Sequence, residues 1–355
     1  MMLNTQNKMI KLTDLQVIDT SLTLLKGNKE VICCETISHF DEPLSHTFFF
    51  IKSAKYLKKI GSKSKINIAD IENLGCLIEL GCWEKLSEDE QFELQNSVTW
   101  LGTVDSVDKA MCFLTKPFYD ILIGQLNYQV DGRQMGSANI HPEAEISQNV
   151  FIGEDVTIEA GVKILPGCNI LPKVTIKADT ILFPNVTIYP KTIIGERCRI
   201  HAGTVIGADG FGYNFFDGAH QKIWHLAGVV IANDVEIGVN TMIDCGVFTP
   251  TYIGNGTKID NDVQVAHNVK MGQHVIICGK SGLAGSVELE DYVAFGAGAG
   301  VAPSAKIGMG AQVAARGIVS ENAIIPPKEI VGGHPARPVK EWMRSQAVLR
   351  KLSKK

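Results

Sequence analysis

Residues 140–170 read IHPEAEISQNVFIGEDVTIEAGVKILPGCNI, with an aliphatic side chain at every sixth position from the first. The period holds for twelve hexads up to Ile206, returns for three from Ile231, and holds for twelve more from Ile253 to Val319. A period of six matches neither the 3.6 residues of an α-helix nor the two of an isolated strand. Repetition on this scale predicts a solenoid.

The fifth position of each hexad is also restricted, to Ala, Val, Cys, Thr, Ser or Gly, as at Cys168 and Ser281. A coil with flat faces needs an aliphatic residue inside each face and a compact residue where two faces meet. Three hexads then form one coil of 18 residues, and the 27 hexads predict about nine coils. The repeat by itself does not determine the hand of the coil.

Composition divides the chain into four parts, because short apolar runs precede the repeat and helix-like spacing flanks it on both sides. The prediction is a small α/β domain, a helical connector, the β-solenoid and a helical tail, at residues 1–105, 106–139, 140–325 and 326–355. Pro326-Pro327 and Gly332-Gly333 are expected to stop the solenoid, since both pairs break regular structure. The predicted fold class is therefore mainly β.

Charge and cysteine content limit the function classes. There are 34 basic and 38 acidic residues, a net charge of −4, which gives no general indication of nucleic-acid binding. The first residues, MMLNTQNKMIKLTD, lack the apolar stretch of a signal peptide or membrane span, so none is expected. Nine cysteines without CxxC spacing predict free thiols in a reducing cytoplasm.

The tail is locally basic. From Arg337 onward it holds seven Lys or Arg residues and a single acid, Glu341. One interpretation is a solvated capping helix, and the other is a docking surface for an acidic partner.

The strongest candidate for chemistry lies in IDNDVQVAHNVKMG, residues 259–272. His267 is the third residue of its hexad and should point outward, where a neutral imidazole can accept a proton from an attacking amine or hydroxyl. Gly285 follows 18 residues later, so its N–H should lie one coil away and could stabilise an oxyanion. A base beside an oxyanion donor is the minimum machinery for acyl transfer. The competing interpretation is a structural or simply exposed histidine, and none of the nine histidines has metal-ligand spacing.

Four segments resemble UDP-3-O-acylglucosamine N-acyltransferases, which add the second acyl chain in lipid A and hence lipopolysaccharide synthesis. They are TVIGADGFGY (204–213), VEIG with TMIDCG (235–246), YIGNGTKIDNDVQVAHNV (252–269) and SGLAGS (281–286). The resemblance implies a left-handed parallel β-helix that forms a homotrimer, with active sites between subunits. It also implies a UDP-glucosamine acceptor acylated at O3 and a 3-hydroxyacyl donor on acyl carrier protein. The only prosthetic group, 4′-phosphopantetheine, would belong to that carrier, and the enzyme itself would need neither a metal nor a covalent intermediate.

The resemblance assigns roles to individual positions. His267 matches the catalytic base and Gly285 the oxyanion glycine, while the family's docking of the acidic carrier protein favours the second interpretation of the tail. Substrate-contacting roles are implied for Asp260, Asn261, Gln264, Ser304 and Ile318, the last near the end of the acyl chain. Phe50 and Tyr56 have the spacing of an aromatic pair that sandwiches uracil, although both could equally be domain core.

Three sites, four residues in all, depart from the family pattern. Ser53-Ala54 stand where Asn-Pro is usual, Ser304 lies where a second histidine is common, and Cys245 replaces an arginine. These departures leave two alternatives open. One is a related acyl- or acetyltransferase acting on another nucleotide sugar, with coenzyme A as donor, and the other is a solenoid that binds without turnover.

Overall fold

The structure is a computed structural model that describes residues 9–64, 66–333 and 336–353. A mixed sheet with helices comes first, a long parallel β-solenoid follows, and a single helix ends the described chain. The predicted fold class, a mainly β solenoid with a small α/β domain and a helical tail, is confirmed. The hand of the coil stays a prediction.

The N-terminal sheet is built from short buried strands. The buried run TFFFI is typical of a parallel strand that is covered on both faces. The strands are β1 Ile10–Lys11, β2 Thr23–Lys26, β3 Cys33–Cys34, β4 Thr36–Ile37, β5 Thr47–Ile51, β6 Gly75–Glu79 and β7 Trp100–Val104. Five of them form one sheet in the order β2-β7-β6-β5-β4, where only the β2–β7 pair is antiparallel.

Helices cover this sheet and lead to the solenoid. The third helix, Glu88–Ser97, begins with a capping box, in which the side chains of Ser87 and Glu90 each accept the other's backbone N–H. The fourth helix, Val107–Gly124, places Phe118 against Phe48 of the sheet, with ring centroids 6.0 Å apart. The helices are α1 Leu12–Ile18, α2 Leu80–Trp83, α3 Glu88–Ser97, α4 Val107–Gly124 and α5 Gly132–Met135, with 3-10 turns at Ala54–Lys59 and Ile68–Asp70.

The solenoid has three parallel faces of nine, ten and ten strands. The first face contains β10 Phe151–Ile152, β13 Asn169–Ile170, β16 Thr187–Ile188, β19 Val205–Ala208, β24 Met242–Asp244, β27 Gln264–Val265, β30 Gly282–Leu283, β33 Gly300–Val301 and β36 Ile318–Val319. The second contains β8 Asn139–Ile140, β11 Thr157–Ile158, β14 Thr175–Ile176, β17 Ile193–Ile194, β22 Val229–Ile231, β25 Thr251–Ile253, β28 Lys270–Met271, β31 Glu288–Leu289, β34 Lys306–Ile307 and β37 Ile324–Ile325. The third contains β9 Glu145–Ile146, β12 Lys163–Ile164, β15 Ile181–Leu182, β18 Arg199–Ile200, β23 Glu236–Ile237, β26 Lys258–Ile259, β29 Ile276–Ile277, β32 Ala294–Phe295, β35 Gln312–Val313 and β38 Ile330–Val331.

The aliphatic residue of each hexad points inward, as predicted. Ile152, Ile170 and Ile188 stack in register, 18 residues apart, and all three are fully buried. Neighbouring coils are therefore one strand spacing apart, ~4.8 Å. Residues 18 apart on the outside of a coil consequently lie side by side.

Contrary to the expectation from the sequence, the solenoid does not stop at Pro326-Pro327, but its last strand does end at Val331, directly before Gly332-Gly333. The strand β38, Ile330–Val331, pairs with β35 after both prolines. Pro326 follows β37, which is the edge strand of the second face, so no further coil requires a hydrogen bond from its nitrogen. Proline at this position therefore costs no ladder hydrogen bond.

One excursion breaks the coils between β19 and β22. It forms a hairpin of β20 Tyr213–Phe216 and β21 Ala219–Lys222. The Asn214 side-chain amide donates to the carbonyl of Asp108 at 2.8 Å, and Phe216 packs edge-on against Phe113. The excursion thus joins α4 to the first face.

The tail forms the predicted helix, α6 Val339–Leu352, with no buried residue. Five of the seven basic residues of the tail are described, and Lys354 and Lys355 lie outside the described residues. Within the described ranges, no helix is both long and apolar enough to span a bilayer.

Candidate active site

An open groove of about 750 Å³ runs along the first face. Four successive strands of this face carry, in register, Gln264, Gly282, Gly300 and Ile318. The two glycines leave the floor of the groove without side chains between the polar Gln264 and the apolar Ile318. A Cβ at Gly282 would meet nothing within 4 Å. Ile318 closes the far end and is 75% exposed. The groove thus has a polar end and an apolar lane.

His267 is not among the residues that line the groove, but Ala266 before it and Gly210, which packs against it, both line the polar end. The protonation of the His267 ring follows from its contact with Asn268. The Asn268 amide donates from Nδ2 to the Thr249 carbonyl at 2.9 Å, while its Oδ1 accepts the Val247 N–H at 3.0 Å. These two contacts show which atom of the Asn268 side-chain amide is the oxygen. That oxygen lies 3.1 Å from Nδ1 of His267. Nδ1 must therefore carry the hydrogen of the neutral imidazole, which leaves Nε2 as the basic nitrogen.

Gly285 lies against that basic nitrogen. A Cβ added at Gly285 would be 2.6 Å from Cε1 and 2.7 Å from Nε2 of His267, so only glycine leaves room for the ring. The neighbouring Ser286 N–H donates to the His267 carbonyl at 3.0 Å, which fixes the register of the two coils. Among the described residues, the Gly285 N–H has no acceptor. A free backbone donor beside a bare imidazole nitrogen is the arrangement expected for acyl transfer.

Gly210, from the excursion, presses against the other edge of the same ring. Its added Cβ would be 2.7 Å from Cβ of His267 and 2.9 Å from Nε2 of His225. The sequence pattern assigns Gly210 no role, because it lies where the period of six is broken.

His225 is a second histidine that the sequence pattern does not select. It is 2% exposed, and its ring meets the His267 ring edge-on with centroids 5.3 Å apart. Nδ1 donates to the Ile223 carbonyl at 3.1 Å, and Nε2 is buried with no partner among the described residues. Burial, and secondarily the nearby His267, lowers the pKa of His225 to about 4, so it is neutral at neutral pH.

Two carboxyl groups and one lysine line the polar end of the groove. Lys222 pairs with Asp209 at 3.0 Å, and Gln264 donates to Asp244 at 3.2 Å. Burial raises the pKa of Asp244 to about 6, and the charge of Asp209 acts in the same direction. Cys245, beside it, has a thiol whose pKa burial raises to about 12, so it is an uncharged residue here.

Ser304 lies one coil beyond Gly285. Its backbone N–H donates to the Gly285 carbonyl at 3.1 Å, and its side chain is exposed. It is therefore close to the groove, but a role in substrate binding stays a prediction.

Asp260 and Asn261 do not face this groove within the chain. Asp260 accepts the Gly279 N–H at 2.9 Å and Asn261 accepts the Val239 N–H at 2.6 Å, so both side chains stabilise coil corners. They line a separate cavity of about 420 Å³, together with His201. Within a single chain these two residues therefore lie outside the groove beside His267. Their contact with substrate stays a prediction.

Phe50 and Tyr56 meet at a third cavity, of about 200 Å³. Phe50 is largely buried and contacts Phe248 of the solenoid, with centroids 6.1 Å apart, while Tyr56 packs against Phe40 at 5.0 Å. Both rings therefore line one opening and also pack against the protein. Lys52 lines the same cavity and forms an ion pair with Asp108.

Comparison with known proteins gives matches over parts of the chain. The family model "Bacterial transferase hexapeptide (six repeats)" matches residues 250–285, and "GMPPB C-terminal domain" matches residues 134–210. UDP-3-O-acylglucosamine N-acyltransferase of Methylobacterium sp. (strain 4-46) is 47% identical over 159 residues, 45% of each chain. The protein of that name from Helicobacter hepaticus is 45% identical over 212 residues, 59% of this chain and 64% of that protein.

A solved structure, a UDP-N-acetylglucosamine acyltransferase from Campylobacter jejuni, is 24% identical with a TM-score of 0.43. The match covers 53% of this chain and 69% of that one. The chain thus resembles proteins named UDP-3-O-acylglucosamine N-acyltransferase, as the sequence segments predict, and it spans less than half the length of the Methylobacterium relative.

Proposed function

We propose that this chain is a UDP-3-O-acylglucosamine N-acyltransferase of lipid A biosynthesis that uses a 3-hydroxyacyl group carried by acyl carrier protein. The observation that carries the proposal is the packing of Gly285, whose N–H is free, against the His267 ring, beside a groove that the preceding residues Ala266 and Ala284 line. Relatives that are 45 to 48% identical and bear this name support it.

In the proposed mechanism the 2-amine of the sugar attacks the thioester carbonyl while Nε2 of His267 accepts a proton. The Gly285 N–H stabilises the oxyanion of the tetrahedral intermediate, and the carrier's phosphopantetheine leaves as a thiol. His225 and Gly210 support this mechanism because they enclose the His267 ring from the sides that Gly285 does not cover. Asn268 keeps the proton on Nδ1, so Nε2 is always the acceptor.

The proposed partners are acyl carrier protein and two further copies of the chain. The helix α6 supports a carrier contact, since its exposed surface includes Lys340, Arg344, Arg350 and Lys351 and the carrier is acidic. All nine cysteines are free thiols, which fits the proposed cytoplasmic location.

The groove should limit the length of the acyl chain. We expect Gly300→Leu to abolish transfer of long 3-hydroxyacyl chains while sparing short ones, because the new side chain would block the lane ~4.8 Å, one strand spacing, before Ile318. An added Cβ at Gly300 approaches only Ile318, at 3.8 Å, so the coil should stay intact. Steady-state rates over a series of chain lengths measure the effect, and the short donors control for folding. An equal loss for all lengths would contradict the assignment of the lane.

The cavity at Tyr56 should bind the uracil ring. We expect Tyr56→Ala to raise KM for the UDP-linked acceptor about 5- to 150-fold with little change in kcat, since stacking on a base contributes ~1–3 kcal/mol. Phe92→Ala, an exposed aromatic position of the same domain, is the matched control. If Tyr56→Ala lowered kcat at unchanged KM, the ring would have another role.

The function is tested by N-acylation of UDP-3-O-acylglucosamine by the purified protein with 3-hydroxyacyl carrier protein, followed by mass spectrometry of the product. Amide formation with the carrier-bound donor and not with the coenzyme A thioester is the expected result. Preference for coenzyme A would favour a related acyl- or acetyltransferase. Binding of the UDP-sugar without turnover at every chain length would favour a binding solenoid.

A further inference from the structure

One carboxyl group in the groove has no cationic partner. Asp244 accepts a hydrogen bond from Gln264 at 3.2 Å, but no described Lys, Arg or His forms an ion pair with it. The groove lysine, Lys222, pairs instead with Asp209 at 3.0 Å. When Asp244 is ionised, this end of the groove therefore carries an unbalanced negative charge.

Asp244 also borders the reacting groups. Met242 pairs with Gln264 and Ile243 with Val265, so Asp244 lies one strand below Ala266, the residue before His267. Asp244 and Ala266 both line the groove. The Asp244 carboxyl group thus faces the same groove as the residue directly before His267, on the adjacent coil.

The local environment keeps this carboxyl group a good proton acceptor. Burial raises the pKa of Asp244 to about 6, so the group is still ionised at neutral pH. Its charge is then poorly solvated, and a bound cation would offset that loss of solvation. The neighbouring Cys245 thiol is neutral, since burial raises its pKa to about 12. The groove is therefore complementary to a small cation.

We infer that Asp244 binds the protonated primary amine of the acceptor and takes its first proton, which makes it the residue that selects an amine over an amide or hydroxyl. An ammonium group and a carboxylate form a strong charge-assisted hydrogen bond, whereas an amide at the same position would leave the carboxylate uncompensated. The inference rests on the proposed function, because it names the group that recognises the amine.

Protons and bonds balance across this step. The bound ammonium gives one proton to the Asp244 carboxylate, and the lone pair of the resulting amine attacks the thioester carbon. The C–N bond forms, Nε2 of His267 takes the second proton, and the C–S bond breaks. The thiolate then receives that proton from His267, and Asp244 releases its own to solvent. One ammonium and one thioester yield an amide, a thiol and one proton.

The test is calorimetric binding of UDP-glucosamine and UDP-N-acetylglucosamine, an amine and its amide, to the whole protein at pH 7.5. We expect the wild type to prefer the amine by about tenfold or more, a difference of ~1.4 kcal/mol, and Asp244→Asn to lose this preference. Asparagine can still accept the hydrogen bond from Gln264, so the variant keeps that contact. Asp155→Asn, at an exposed turn on the first coil, is the matched control.

The preference should also depend on pH. Lowering the pH through about 6 protonates Asp244, so the wild type should lose its preference for the amine there, while Asp244→Asn should show none at any pH. The other titratable groups near this end of the groove are Asp209, Tyr213, Lys222, His225, Cys245 and His267. They are present in both proteins, and the difference between the two isolates Asp244.

Folding provides an independent check. Because the folded protein holds the Asp244 proton more tightly than the unfolded chain, the stabilising contribution of that proton is present at low pH and is lost as the pH rises through about 6. Asp244→Asn should therefore have a higher Tm than wild type at pH 8 and the same Tm near pH 4.

The outcomes separate the two proposals. If Asp244→Asn kept the full preference for the amine, or if the wild type bound both sugars equally, the inference would be overturned even with N-acylation intact. If the wild type transferred no acyl group but preferred the amine in an Asp244-dependent way, the inference would stand and the proposed function would fail. A wild type that bound neither sugar would overturn both.

Discussion

His267→Ala should lower kcat for N-acylation by about 10²-fold or more, the loss expected when a general base is removed. The ring is held at Nδ1 by Asn268, and Nε2 points at Gly285, so no other described side chain takes the same position. KM for the UDP-linked acceptor should change little, because the base acts on the attacking amine and contributes little to the binding of the nucleotide.

The matched control for His267→Ala is His220→Ala, since His220 is an exposed histidine on the hairpin. This control should keep wild-type kcat and KM. An active His267→Ala enzyme would show that another group accepts the proton, and His225 would then be the next residue to replace.

Gly285→Ala should lower kcat by roughly 10- to 100-fold, because a catalytic group displaced by ~1 Å can lose that much. The new methyl group would be 2.6 Å from Cε1 of His267, closer than real Cβ contacts allow, so the imidazole must move. The ring is a side chain that can rotate, and the coil itself should remain folded. Steady-state rates together with thermal melting measure both effects.

Gly81→Ala is the matched control, since Gly81 lies in α2, does not line the groove, and its Cβ would meet nothing within 4 Å. Gly81→Ala should keep wild-type activity. Equal activity of Gly285→Ala and wild type would contradict the proposed oxyanion site.

The period of six determines much of the architecture of this protein. Because every coil has 18 residues, the repeat predicts that positions 267 and 285 stack, and they do. It also predicts the inward aliphatic rows and the outward direction of His267. The predicted end of the solenoid at residue 325 is too early, because the last strand follows the proline pair and the prolines are tolerated beside an edge strand.

The tertiary structure decided the features that lie outside the repeat. His225, Gly210 and Thr249 belong to segments where the period is interrupted, so no spacing rule brings them to His267. The contact between Phe50 and Phe248 joins two units more than a hundred residues apart in sequence.

The positions of Asp260 and Asn261 within one chain also depend on a corner of the coil. Asp260 and Asn261 occur beside the base in sequence, but the coil turns sharply between them and His267, and their oxygens accept the N–H groups of neighbouring corners. The sequence by itself thus determined the coil and the stacking of Gly285 on His267, because both follow from one fixed period. Only the tertiary structure decided what encloses the His267 ring and which carboxyl group faces the groove, because those contacts arise where the chain leaves that period or turns a corner.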